Sequence, residues 1–251
     1  MSPVVVSAIV FSCIFGGVMA GMILRAVLPE HHLSADSKDV VKLAMGLIGT
    51  MAALLLGLLV ASAKGSYDAR SSELTQMSAN FVLLDRVLAH YGPETKEERD
   101  LLRGSVVGII ARIWSEGSNE ASKLDPSSSG AEVIYDKIQQ LAPQNDAQRA
   151  LQTQALSMAI NLAETRWLLF EQSGSSISIP LLAVMVLWLT VIFASFGLFA
   201  PRNMTVVVSL MLAALSVSGA IFLTLELDRP FEGLIQISSA PLRSAASHMG
   251  R

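Results

Sequence analysis

Four stretches of the chain are almost wholly apolar: residues 4–24, 41–63, 179–199 and 205–225. Each has about 20 residues, the length a helix needs to cross ~30 Å of hydrocarbon at ~1.5 Å per residue. The last two are separated only by Ala200-Pro201-Arg202-Asn203-Met204. Pro201 and Asn203 are turn residues and Arg202 suits the headgroup layer, so this pair predicts a transmembrane helical hairpin. The first run competes with a cleaved signal peptide. No Lys or Arg precedes it and it exceeds the usual apolar core of a signal, so it reads as a retained helix. Within it, Gly17 and Gly21 are four apart, a spacing that lets a neighbouring helix approach closely.

The one long polar segment, residues 64–178, shows helical rather than strand periodicity. Leu74, Met77, Phe81, Leu84 and Leu88 recur at threes and fours, so the second span is expected to continue out of the membrane until Gly92-Pro93 stops it. Thr95 with Glu98 predicts a capping box opening a helix with Leu102, Val106, Ile109, Ile110 and Ile113 on its apolar face. A Ser-, Asn- and Gly-rich loop follows at 117–130, then a short helix at 131–141. Asn145 with Gln148 predicts a second capping box, opening a long helix with Leu151, Ala155, Met158, Leu162 and Leu169 on one face. Trp167, near the start of the third span, has the character of an interfacial aromatic.

Composition sharpens this picture. Only 16% of the 251 residues are charged and 52% are hydrophobic, against about 25% charged in soluble domains. A net charge of −3 offers nothing to nucleic acid. The single cysteine, Cys13, lies in an apolar run and permits no internal disulfide. With four spans, both termini and the 64–178 domain share one side. Near the span ends that side carries Lys64, Arg70, Arg166, Arg229 and Arg243, five cations against the four of Arg25, Lys38, Lys42 and Arg202. The balance places the domain and termini in the cytoplasm.

Chemistry for an enzyme is missing from the sequence. No nucleophile elbow, phosphate-binding loop, zinc-protease motif or dinucleotide glycine pattern occurs. His31 and His32 lie near Glu30 and Asp36, but adjacent residues diverge on a helix and no metal-ligand spacing results. No catalytic, cofactor-binding or metal-ligating residue is expected. No ionisable group lies near the middle of a span, which argues against a proton-coupled pump.

Two features remain as candidate functional elements. In the second span Gly46, Gly49, Ala53 and Gly57 follow one another at three, four and four, placing small residues along one face, with Thr50 a hydroxyl near the middle of the run. That face serves either close helix packing or a pore. At the mouth of the fourth span stand Glu226, Asp228, Arg229, Pro230 and Phe231. Pro230 removes a backbone donor and ends or bends the helix. Glu226 and Arg229, three apart, suit a pair on a continuing turn. The cluster is either a helix-ending anchor or part of an ion-interacting ring formed by several copies. Phe231, Leu234, Ile235 and Ile237 then offer an apolar return to the membrane interface or to the domain.

The run from Leu225 to Ser238, Leu-Glu-Leu-Asp-Arg-Pro-Phe-Glu-Gly-Leu-Ile-Gln-Ile-Ser, resembles the carboxy-terminal signature of the bacterial bestrophin-like membrane family. Residues 193–203, Phe-Ala-Ser-Phe-Gly-Leu-Phe-Ala-Pro-Arg-Asn, and the second span from Gly46 to Tyr67 are similar to that family too. The resemblance implies an all-α membrane protein with four transmembrane helices and a helical extramembrane domain between the second and third. The domains would be spans 1 and 2 at 4–63, the cytoplasmic domain at 64–178, spans 3 and 4 at 179–226, and a motif and tail at 227–251. It further implies a homo-oligomer, a pentamer, in the inner membrane, whose second span lines a pore for small inorganic ions of undetermined sign. The alternative is a membrane-anchored scaffold whose 64–178 helices bind a partner.

Overall fold

The computed structural model describes residues 2–29, 34–114, 131–172, 177–201 and 203–250. Glu30, His31, His32, Arg202 and the loop at 117–130 lie outside the described residues. The described elements are helices and one 3₁₀ turn: α1 Pro3–Val27, α2 Ala35–Tyr91, the turn Pro93–Thr95, α3 Lys96–Ile113, α4 Ala131–Gln140, α5 Asp146–Glu171, α6 Ile179–Phe199, α7 Met204–Leu227 and α8 Ala240–His248. Four of them, α1, α2, α6 and α7, are long and apolar enough to cross a membrane. The chain divides into two compact units, residues 1–66 with 176–228, and residues 67–175 with 229–251.

The first unit contains α1, the start of α2, α6 and α7. Among membrane helices the solvent supplies little hydrophobic drive, so close van der Waals packing decides which helices meet. Here α1 and α6 meet through glycine. A Cβ on Gly17 would stand 2.8 Å from the Thr190 carbonyl oxygen. At Gly21 it would overlap the Ala194 carbonyl, and at Gly197 that of Val18. Around this seam Ile14, Val18, Met185, Ile192 and Phe193 are buried, with Ala214 and Ile221 from α7. Helix ends are closed locally. The Asn203 side chain accepts from the Val206 amide at 2.9 Å, starting α7 one residue after its hairpin turn. Arg25, in the last turn of α1, donates to the Ala200 carbonyl that caps α6.

The second unit is a helical bundle with its own core. Leu74, Met77, Phe81, Leu84 and Leu88 of α2 are all buried. They pack with Leu102, Val106, Ile109 and Ile113 of α3, Ile134 and Ile138 of α4, and Ala155, Leu162 and Leu169 of α5. Helix α2 runs through Gly65 without a break and ends at Tyr91, where Gly92 at φ 148° adopts a backbone that disfavours side chains.

The Thr95–Glu98 capping box does not form. The 3₁₀ turn leaves Thr95 at φ −89°, ψ 15° rather than extended. Its hydroxyl therefore turns back and donates to the Leu88 and Gly92 carbonyls at 2.6 and 2.8 Å, serving the open end of α2. The Asn145 box forms in its forward half, the Gln148 amide donating to Oδ1 at 2.8 Å. The return bond lands one residue early, on the Gln144 amide at 2.7 Å.

Candidate functional site

Helix α2 meets the first unit along one face only. Ala52, Leu59 and Ala63 are buried there, with Met45, Ile48, Leu55 and Leu56 half-covered. These positions repeat at threes and fours, as a single helical stripe must. On one flank of that stripe Gly46, Ala53 and Gly57 are exposed and Gly49 is half-buried. A Cβ on Gly46, Gly49 or Gly57 would touch nothing within 4 Å. The contrast with Gly17, Gly21 and Gly197 is direct, because those three are filled by a neighbouring helix of the same chain. On the other flank Leu47 and Leu58 are exposed, at 65% and 61%. At ~3.6 residues per turn, Thr50, Leu43 and Leu54 point most directly away from the bundle. The Thr50 hydroxyl donates to the Leu47 carbonyl at 2.8 Å, so its oxygen keeps acceptor capacity toward the open face.

The carboxy-terminal motif splits at Asp228. Helix α7 ends at Leu227 with Asp228 as its cap, so no continuous helical turn carries Glu226 on to Arg229. Glu226 and Asp228 are both buried. After Pro230 the chain makes a tight turn rather than restarting a helix. The Glu232 amide donates to the Arg229 carbonyl at 3.1 Å and the Ile237 amide to the Pro230 carbonyl at 2.8 Å. Gly233 sits at φ 77°, which favours glycine. Phe231 and Ile237 enter the core of the second unit. The Phe231 ring lies edge-on to Trp114 at 6.4 Å, and Trp114 Nε1 donates to the Ile237 carbonyl at 3.0 Å.

Several residues around this turn escaped the sequence analysis. Tyr67 donates to the Gln236 carbonyl at 3.4 Å. Arg70, 1% exposed, donates to the Gln172 carbonyl at the end of α5. The signal was present, since extending the Leu74–Leu88 stripe backward by four and then three lands on Arg70 and Tyr67. Asp85 is fully buried and accepts from Arg99 Nε and Nη2 at 2.8 and 3.1 Å. Its Oδ2 also accepts from the Gly250 amide at 3.2 Å. The hydrogen bond to Asp85 raises the pKa of Arg99. Trp167 is exposed and packs edge-on to Phe170 at 5.9 Å.

Four long apolar helices with an appended helical bundle define a multi-span helical membrane protein. Residues 12–242 match the Bestrophin-like domain. The chain therefore belongs to the bestrophin-like family, the match covering nearly its whole length. No curated protein and no solved structure matches it.

Proposed function

We infer that this protein is a homo-oligomeric, pentameric ion channel of the inner membrane, with the helical bundle and termini in the cytoplasm and α2 lining the pore. The observation that carries this reading is the half-covered α2. Helices α1 and α6 pack on each other through filled glycine contacts, while a Cβ on Gly46, Gly49 or Gly57 of α2 would meet nothing among the described residues. In a ring of copies with α2 innermost, the bundle-facing stripe points outward and the opposite face points to the axis. Thr50 and Gly57 then line the lumen, and Leu43 and Leu54 supply apolar constrictions of the kind that gate by dewetting. Gly46, Gly49 and Ala53 lie on the flank, where the Leu47 and Leu58 flank of the adjacent copy packs, a head-to-tail contact that closes into a ring. Glu226, Asp228 and Arg229 hold the end of the fourth span near the vestibule.

The test is ion flux from liposomes containing the purified oligomer, with anion and cation gradients run separately and protein-free vesicles as control. Selective flux that Thr50→Leu or Gly57→Leu reduces, in variants that still assemble, supports the channel and gives the ion sign. An intact oligomer that passes neither ion overturns it and favours the scaffold reading.

A further inference from the structure

We propose that the turn at 229–237 is a membrane-interface anchor, with Leu234 at its tip seated at the boundary of headgroups and acyl chains. Leu234 is 81% exposed. Among the described residues, the other large apolar side chains more than 60% exposed are Val4, Ile23, Val27, Val40, Leu43, Leu47, Leu54, Leu58, Ile179 and Met204. Every one of these lies in a membrane-crossing helix. In the second unit the remaining exposed apolar residues, such as Leu83 and Val107, reach 54% at most and are the scattered kind that any surface carries. By exposure Leu234 thus belongs with residues of the membrane-crossing helices, although it sits in a turn.

The bilayer is the occupant because of where the turn is tethered. Leu234 stands seven residues beyond Leu227, the end of α7, so an extended chain allows it at most about 25 Å from that end. A second tether is shorter. Tyr67 bonds the Gln236 carbonyl and lies one turn past Ala63, the last residue of the second apolar run, which is about 6 Å along α2. The headgroup layer of one leaflet is about 5–8 Å deep, so a turn held at Tyr67 is within reach of it. Its base is flanked by two amphipathic aromatics, Tyr67 and Trp114, each bonding a carbonyl of the turn. Such residues favour this layer.

A nitroxide on Leu234→Cys, in a Cys13→Ser background, tests this in phosphatidylglycerol–phosphatidylcholine vesicles. Accessibility to oxygen, which concentrates in lipid, is compared with accessibility to a water-soluble nickel chelate. Leu187→Cys, exposed in the middle of α6, and Leu83→Cys serve as membrane and aqueous references. High oxygen and low nickel accessibility at Leu234→Cys supports the anchor. Nickel accessibility equal to that at Leu83→Cys overturns it, placing the tip in water. Low accessibility to both also overturns it, placing the tip against protein.

Discussion

Replacing Asp85 with Asn keeps the shape of a fully buried side chain and removes its charge. In the native protein that carboxylate holds Arg99 through two bonds and the Gly250 amide through a third. Asn offers one acceptor oxygen, and its amide nitrogen would face donors. Breaking one partner of a buried ion pair costs about 3–5 kcal/mol, chiefly because the other charge stays behind unpaired. The Arg99 side chain is 21% exposed and recovers part of its hydration, so the lower end applies, about 3 kcal/mol. For a domain of this size that lowers the melting midpoint by roughly 6–12 °C. The measurement is thermal unfolding of the purified protein in detergent, with hydrogen exchange followed over residues 240–250. Asp85→Asn should lower the midpoint and speed exchange at Gly250. The apolar pair Asp85→Leu with Arg99→Met should recover most of the loss, because no charge is left stranded. An unchanged midpoint in Asp85→Asn, with Gly250 still protected, would refute the assignment of Asp85 as the residue that fixes the tail.

Three other outcomes follow from the packing. Gly21→Val drives bulk into the Ala194 carbonyl and should destabilise by about 1–3 kcal/mol, whereas Gly46→Val, in open space, should leave the melting midpoint unchanged and alter oligomer size in chromatography. Phe231→Ala empties a buried ring site and should cost about 3–5 kcal/mol, with the fluorescence of Trp114 shifting as its edge contact is lost. Burial, and then the nearby Glu94 carboxylate, raises the pKa of Tyr91. The folded state thus holds that proton more tightly, and the stability it contributes is complete below a pH of about 10 and lost as pH rises through the folded-state value. Tyr91→Phe should flatten this alkaline loss in melting curves taken against pH. At neutral pH it should be neutral or stabilising by about 1 kcal/mol, since the Tyr91 hydroxyl is buried without a hydrogen-bond partner among the described residues.

Periodicity revealed the helices because each buries one continuous stripe. Leu74 to Leu88 could be read as core from spacing alone, and Gly92-Pro93 as the end of α2. Thr95 was legible as a helix start but not in its bonding, which depends on a 3₁₀ turn and on the open carbonyls of another helix. Arg70 and Asp85 sit in or beside apolar stripes, and a charge there looks like a solvated face until its partners, far away in sequence, are known. Helix α8 left little trace. Its buried residues, Leu242 and Ala245, are two modest apolar groups among Ser, Arg and His. The small residues of α1 and α2 look alike on paper. What separates them is whether α6 stands against them, a tertiary fact that spacing does not encode.

The second unit is assembled from two separated pieces of chain, and this sets an order of events during synthesis. Phe231, Ile237, Leu242 and Met249 complete its core, yet they emerge from the ribosome only after α6 and α7. The bundle formed by α2 to α5 must therefore wait, with those apolar sites open, while the last hairpin is inserted. Final consolidation of the bundle becomes a report that the hairpin has been made. A chain stalled before residue 229 would carry all four spans and an unfinished domain, the kind of exposed surface that folding surveillance recognises.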